Sequence, residues 1–200
     1  FAEGATLDAF ATEFAIVNPG TTDARVLLRF LTRDQVTMST FVSVPAAQRR
    51  TVTASHVPGM DGREFSTVIE SDRLIVADRT MKWPREDSYG AHAETAVVAP
   101  SVTWYLAEGA THGTFNLFYL LQNPNDGASE VRVRYLVPSG ATLEKMYTLP
   151  PHSRTTIWVD YEECPSGSGD FALASTDVSA AFEVQNNRPL IVERAMYADV

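Results

Sequence analysis

Apolar and polar residues alternate in short runs along most of the chain. Residues 11–17 (Ala-Thr-Glu-Phe-Ala-Ile-Val) predict a strand that Asn18-Pro19-Gly20 ends in a turn. Across 24–31, Val26, Leu28 and Phe30 fall on one face and Arg25 and Arg29 on the other, the two-residue period of a half-buried strand. Residues 36–44 are rich in Thr, Val and Phe, and 49–53 follow Pro45. A loop with Pro58-Gly59 and Asp61-Gly62 precedes a last pair of runs, 64–70 and 74–83, around Ser71-Asp72-Arg73. No capped segment of about ten residues or more carries a helical period.

The pattern then restarts. Ala2-Glu3-Gly4-Ala5-Thr6 returns as Ala107-Glu108-Gly109-Ala110-Thr111, 105 residues later. The same offset relates Phe10 to Phe115, Asn18-Pro19 to Asn123-Pro124, and Val26, Arg29 and Leu31 to Val131, Arg134 and Leu136. It also relates Pro45, Arg49 and Thr51 to Pro150, Arg154 and Thr156. Arg79 and Met81 match Arg194 and Met196 at an offset of 115, so the second copy has gained ten residues. The run from Glu163 to Asp170 is the simplest place for them, since added length in a surface loop costs little entropy. Strands are predicted near 103–107, 115–122, 130–137, 142–149, 154–159, 178–185 and 190–197, with a hairpin turn at Pro138-Ser139-Gly140.

This organisation predicts an all-β chain of two tandem immunoglobulin-like β-sandwich domains, residues 1–83 and 103–200. The polar segment 84–102, punctuated by Pro84, Gly90 and Pro100, is predicted to be a linker. A repeat of this length is an independent small domain rather than a solenoid unit. The paired cysteines of antibody domains are missing, so only the architecture is implied.

Composition narrows the function classes. Hydrophobic residues make up 44% and charged residues 20%, which suits a globular chain. The net charge of −9 argues against nucleic acid and anionic membrane surfaces as partners. Cys164 is the sole cysteine, so no intramolecular disulfide can form, and no run predicts membrane insertion.

Candidate chemistry is sparse. No serine sits in Gly-x-Ser-x-Gly, and Cys164 lies in a Pro-Ser-Gly-rich loop with nothing to activate it. His56, His92, His112 and His152 are widely spaced and form no His-x-x-x-His pair. Asn123-Pro124-Asn125-Asp126-Gly127 offers oxygen ligands for calcium but reads first as a polar turn. Catalytic, cofactor and metal sites are therefore not expected. Trp83, Trp104, Tyr105, Trp158 and Tyr161 are the aromatic candidates for sugar contact, with packing in the core or between domains the first expectation for them. Trp158 and Tyr161 are favoured among them, because Trp158 is out of phase with Ile157 and Val159. Arg79 shares its strand face with Ile75, Ala77 and Met81, and Arg194 shares its own with Leu190, Val192 and Met196. An arginine in an apolar row needs a carboxylate, so Glu3 is expected to pair with Arg79 and Glu108 with Arg194, as structural ion pairs.

Four segments carry a family resemblance: 104–109 (Trp-Tyr-Leu-Ala-Glu-Gly), 121–124 (Leu-Gln-Asn-Pro), 147–154 (Tyr-Thr-Leu-Pro-Pro-His-Ser-Arg) and 189–197 (Pro-Leu-Ile-Val-Glu-Arg-Ala-Met-Tyr). The chain resembles a tandem repeat domain of large secreted and cell-surface bacterial proteins, whose function is largely unassigned. The likeness is dense in the second copy and looser in the first, where Asp78-Arg79-Thr80-Met81 replaces Glu193-Arg194-Ala195-Met196. It implies an extracellular, multi-domain, non-catalytic setting. The expectation is a structural or adhesive module whose partners are neighbouring copies or domains of the same protein. The alternative is a carbohydrate-binding accessory module that meets cell-surface glycan. The second copy opens with Trp104-Tyr105-Leu106 where the first opens at Phe1, so a longer string of domains, or a fibre in which a neighbour completes the first strand, is also expected.

Overall fold

The computed structural model describes residues 1–7, 10–85, 88–163 and 173–198. It is all-β and divides into two units, Glu3–Val98 together with Phe1, and Ala99–Val200. Each is an immunoglobulin-like sandwich of two antiparallel sheets.

The first unit is built from β1 (Ala11–Asn18), β2 (Ala24–Thr32), β3 (Thr37–Val44), β4 (Gln48–Thr53), β5 (Phe65–Ser71), β6 (Val76–Arg85) and β7 (Ser88–Thr95). Its sheets run β4-β1-β6-β7 and β3-β2-β5. Phe14 and Ile16 of β1 face Val26, Leu28 and Phe30 of β2 across the core, with Phe65 edge-on to Phe30 at 5.4 Å. These are the in-phase apolar positions of the alternating runs; of their out-of-phase neighbours, Glu13, Ala15, Val17, Arg25, Leu27 and Arg29 stay in contact with solvent and Leu31 is buried.

The second unit contains β8 (Thr103–Leu106), β9 (Phe115–Asn123), β10 (Ser129–Leu136), β11 (Thr142–Leu149), β12 (Ser153–Trp158), β13 (Ser179–Val184) and β14 (Ile191–Ala198). Its sheets run β11-β10-β13-β8 and β12-β9-β14. Leu117, Tyr119 and Leu121 of β9 pack on Val131, Val133 and Tyr135 of β10. Strands β9 to β14 repeat β1 to β6 in order and pairing. In an immunoglobulin domain the first strand lies in the sheet of the second and the last in the sheet of the sixth. Here the first strand, β8, pairs with the sixth, β13, and the last, β14, with the second, β9.

The segment predicted as a linker, 84–102, is partly strand. Residues 84 and 85 end β6, and 88–95 form β7, which pairs with β6 from Arg85↔Ser88 to Asp78↔Thr95. An open edge on β6 would leave a row of backbone donors and acceptors unpaired, and β7 satisfies them. Its polar composition suits an edge strand and concealed it in the sequence. The hairpin turn at Pro138-Ser139-Gly140 closes with Gly140 N–H donating to Val137 O at 2.9 Å and Gly140 at φ 80°. Cys164 and most of the expected insertion, 164–170, lie outside the described residues.

Candidate functional site

Each residue of the recurring Glu-Gly-Ala-Thr has a definite contact in both units. The threonine comes last in the motif and clamps a loop. Thr6 Oγ1 donates to the carbonyl of Met60 and accepts from Arg63 N–H at 3.1 Å. Thr111 Oγ1 donates to Leu173 O and accepts from Thr176 N–H at 3.0 Å. Both loops lead into equivalent strands, β5 and β13. The alanines make single antiparallel bridges there, Ala5 to Glu64 and Ala110 to Asp177.

The glycines allow close approach. A β-carbon on Gly4 would lie 2.5 Å from the Phe65 ring, and one on Gly109 would lie 2.7 Å from Leu117 Cδ2 and 2.9 Å from the Val178 carbonyl. No side chain fits either place without displacing the core.

The glutamates meet the arginines. Arg79 Nη2 lies 3.0 Å from Glu3 Oε2, and Nη1 donates to the Glu3 carbonyl at 2.9 Å. Side-chain exposure is 1% for Arg79 and 5% for Glu3. In the second unit Arg194 Nη1 donates to the Glu108 carbonyl at 2.8 Å, but its carboxylate distance is 3.5 Å and the exposures are 32% and 75%. Strand β7 accounts for the difference. Glu94, directly across from Arg79, adds a second carboxylate at 3.2 Å, and His92 brings Nε2 to 3.3 Å from Glu3 Oε2, a charge-pair distance without hydrogen-bond alignment. Trp83 packs against His92 at 5.7 Å and over Gly90, where a β-carbon would fall 2.2 Å from the indole. The Phe1 ring lies 5.7 Å from the Arg79 guanidinium. Nothing in the sequence marks His92 and Glu94 as part of this cluster, because their strand alternates polar residues only with alanine and glycine. The cluster joins β6, β7 and the segment before β1 through one buried guanidinium.

The Asn-Pro turns serve the same end. Asn18 Nδ2 donates to Thr22 O at 2.8 Å and Val44 O at 2.9 Å, tying one hairpin to the next. Asn123 Nδ2 donates to Gly127 O, Leu149 O and Pro150 O at 3.0, 3.1 and 2.8 Å. Its Oδ1 accepts from Asn125 N–H at 3.0 Å. Of the oxygens suggested for calcium, Asn123 Oδ1 is engaged within the turn, and the exposed Asp126 Oδ1 lies 2.8 Å from His152 Nε2. Among the described residues no group of three or more His, Cys, Asp and Glu side chains could hold a metal ion, and no helix is long and apolar enough to cross a membrane.

Trp158 and Tyr161, the aromatic candidates, come together. Their rings are 4.5 Å apart and nearly perpendicular, and Phe118 joins Trp158 at 5.1 Å and Tyr197 at 5.9 Å. Ile157 and Val159 are buried on either side while Trp158 points out, as the alternation predicts. Trp104 turns into the core cluster and donates its indole N–H to Leu190 O at 2.9 Å, whereas Tyr105 is exposed.

The fold and these contacts define a class: paired β-sandwich modules stapled by a recurring motif. No family model and no curated protein matches the chain. Among solved structures it is similar to the Anabaena sensory rhodopsin transducer, at 14% identity and a TM-score of 0.40, over 50% of this chain and 92% of that one.

Proposed function

We propose that the chain is a non-catalytic structural or adhesive module of an extracellular, tandem-domain protein, whose partners are neighbouring copies or domains of the same protein. One observation carries this reading: the residues that recur between the copies are spent on holding each sandwich together. Glutamate meets arginine, glycine admits the core, threonine and asparagine clamp turns, and all do so twice. A repeat selected for its frame leaves its task to spacing and to the surfaces it displays. Antibody against this chain should label intact source cells, and protease added outside should remove the signal. Labelling that needs permeabilised cells would overturn the extracellular setting.

A second reading, a carbohydrate-binding accessory module, is favoured by the cluster of Phe118, Trp158, Tyr161 and Tyr197. Its rings are inclined by 38°, 68° and 85°, so they offer an angular recess rather than a flat platform for a sugar ring. Glycan-induced change in tryptophan fluorescence that disappears in Trp158→Ala would move the assignment to this reading.

A further inference from the structure

We propose that the free edge of β3 is a self-association site, at which β3 of a second copy of this chain adds antiparallel. The inference gives the neighbouring-copy association proposed above a definite surface, and rests on that reading for its biological setting.

Among the described residues β3 pairs with β2 alone and ends its sheet. The turn before it closes with Thr32 N–H donating to Val36 O, and the register continues Phe30↔Met38, Leu28↔Thr40, Val26↔Val42. In an antiparallel ladder alternate residues serve opposite neighbours. The backbone groups of Met38, Thr40 and Val42 therefore belong to β2, and those of Thr37, Ser39, Phe41 and Ser43 face the open edge. The strand spans eight residues, has no charge, proline or glycine, and holds Phe41 69% exposed at its middle. Natural sheets avoid such an edge because it recruits another strand.

The other copy supplies an internal comparison. Strand β11 occupies the same place, 105 residues on, with the same alternation of exposure and an exposed Met146 where the first copy has Phe41. Yet β11 carries Glu144 where β3 has Ser39, and Lys145 where β3 has Thr40. Glu144 stands on the outer face, and Lys145 on the core-side face, where it reaches Glu162. An added charge on the outer face and an inward-pointing lysine are two of the devices that block edge pairing. Elsewhere β4 carries Arg49 and Arg50, β7 carries His92 and Glu94, and uncharged β8 is only four residues long. One frame thus keeps this edge guarded in the second copy and open in the first.

The occupant follows from charge. With a net charge of −9, two copies repel one another overall. An uncharged strand meets itself without placing like charges opposite one another. In the two-fold register centred on Thr40, each Ser39 faces the partner strand's residue 41, and the edge-facing groups of 37, 39, 41 and 43 pair among themselves. The two three-stranded sheets become one of six strands through a self-complementary interface.

Sedimentation velocity on the whole 200-residue chain, from about 1 to about 200 μM, tests this. A reversible monomer–dimer equilibrium is expected. Grafting the guards of the second copy, Ser39→Glu with Thr40→Lys, should weaken it at least about tenfold, since the lysines placed at 40 then face each other across the seam and the glutamates at 39 lie diagonally across it. Ser39→Pro, which deletes an edge-facing N–H and leaves the β2 ladder intact, should act in the same direction. Circular dichroism confirms that the variants fold. Hydrogen exchange at high concentration should slow at residues 37, 39, 41 and 43 and stay unchanged at 38, 40 and 42. A chain that remains monomeric throughout, or a dimer indifferent to the grafted charges, overturns the proposal. Either result leaves the cell-surface labelling, and so the broader reading, to be judged separately.

Discussion

Arg79 and Glu3 form a buried ion pair that the second unit repeats only at its surface, with Arg194 and Glu108. The cross-strand neighbours on β7 make the difference, because Glu94 and His92 close over the first pair. Arg79→Met would leave Glu3 charged and enclosed, at a cost on the order of 3–5 kcal/mol. Arg194→Met should cost about 0–1 kcal/mol, as exposed pairs do. Urea unfolding should separate them, with Trp83 reporting the first unit and Trp104 and Trp158 the second. Equal losses in both variants would mean that β7 does not shield the pair.

Gly4 and Gly109 should tolerate a methyl group unequally. The β-carbon of Gly4→Ala meets a Phe65 ring, whereas that of Gly109→Ala meets the Val178 carbonyl as well as Leu117. Overpacking of this kind costs typically about 1–3 kcal/mol. Gly109→Ala should fall at the upper end, because backbone held in place by the Val178 N–H to Gly109 O hydrogen bond yields less than a side chain. A neutral result at Gly109, read from the midpoint of the second unit, would contradict this close fit.

The strands and the tandem plan were legible because burial imposes a two-residue period, and both copies carry it at matched positions such as Val26 and Val131. The pairing of Glu3 with Arg79 was legible for a related reason: an arginine among Ile75, Ala77 and Met81 demands a counter-charge. Its unequal burial in the two copies was not. That depends on β7, an edge strand whose alanines and polar residues give no amphipathic signal, so His92 and Glu94 looked like linker. The exchange of first and last strands between sheets was equally hidden, since pairing partners far apart in sequence leave no mark on local alternation.

Asn123→Asp offers a test of the turn clasp. The asparagine amide gives its N–H groups to three carbonyls. An aspartate there has no donor and sets a negative charge among acceptors, so the second unit should lose about 3 kcal/mol or more at neutral pH. Enclosure raises the pKa of the new carboxyl above its unfolded value, so the folded state binds the extra proton more readily. The loss should shrink as pH falls towards the ordinary carboxylate range near 4. A penalty that does not change between pH 7 and about 4 would place residue 123 in water rather than in the clasp.

The tyrosines of the second core predict how the two units part at alkaline pH. Tyr119 stacks on Tyr135 at 6.3 Å, the Tyr135 and Tyr147 hydroxyls lie 2.7 Å apart, and Tyr147 donates to Glu162 at 2.8 Å. Burial, above all, pushes all three phenols well above their ordinary value of 10, and at Tyr147 the charges of Tyr135 and Glu162 add to it. A phenol is neutral while protonated, so a raised folded pKa means that the folded state keeps its proton when the unfolded chain releases one. The stability this gives is fully present below pH 10 and drains away above it, by about 1.4 kcal/mol per pH unit for each such tyrosine. Tyr89 is the single tyrosine between Phe1 and Val98, so the first unit lacks the effect of a tyrosine cluster. Between pH 10 and 12 the second unit should therefore unfold first, seen as loss of Trp104 and Trp158 signal while Trp83 stays native. Tyr147→Phe should reduce the slope of stability against pH by about a third, because one of three titrating groups is gone. Simultaneous loss of both units, or a slope unchanged in Tyr147→Phe, would refute the assignment of alkaline sensitivity to this cluster.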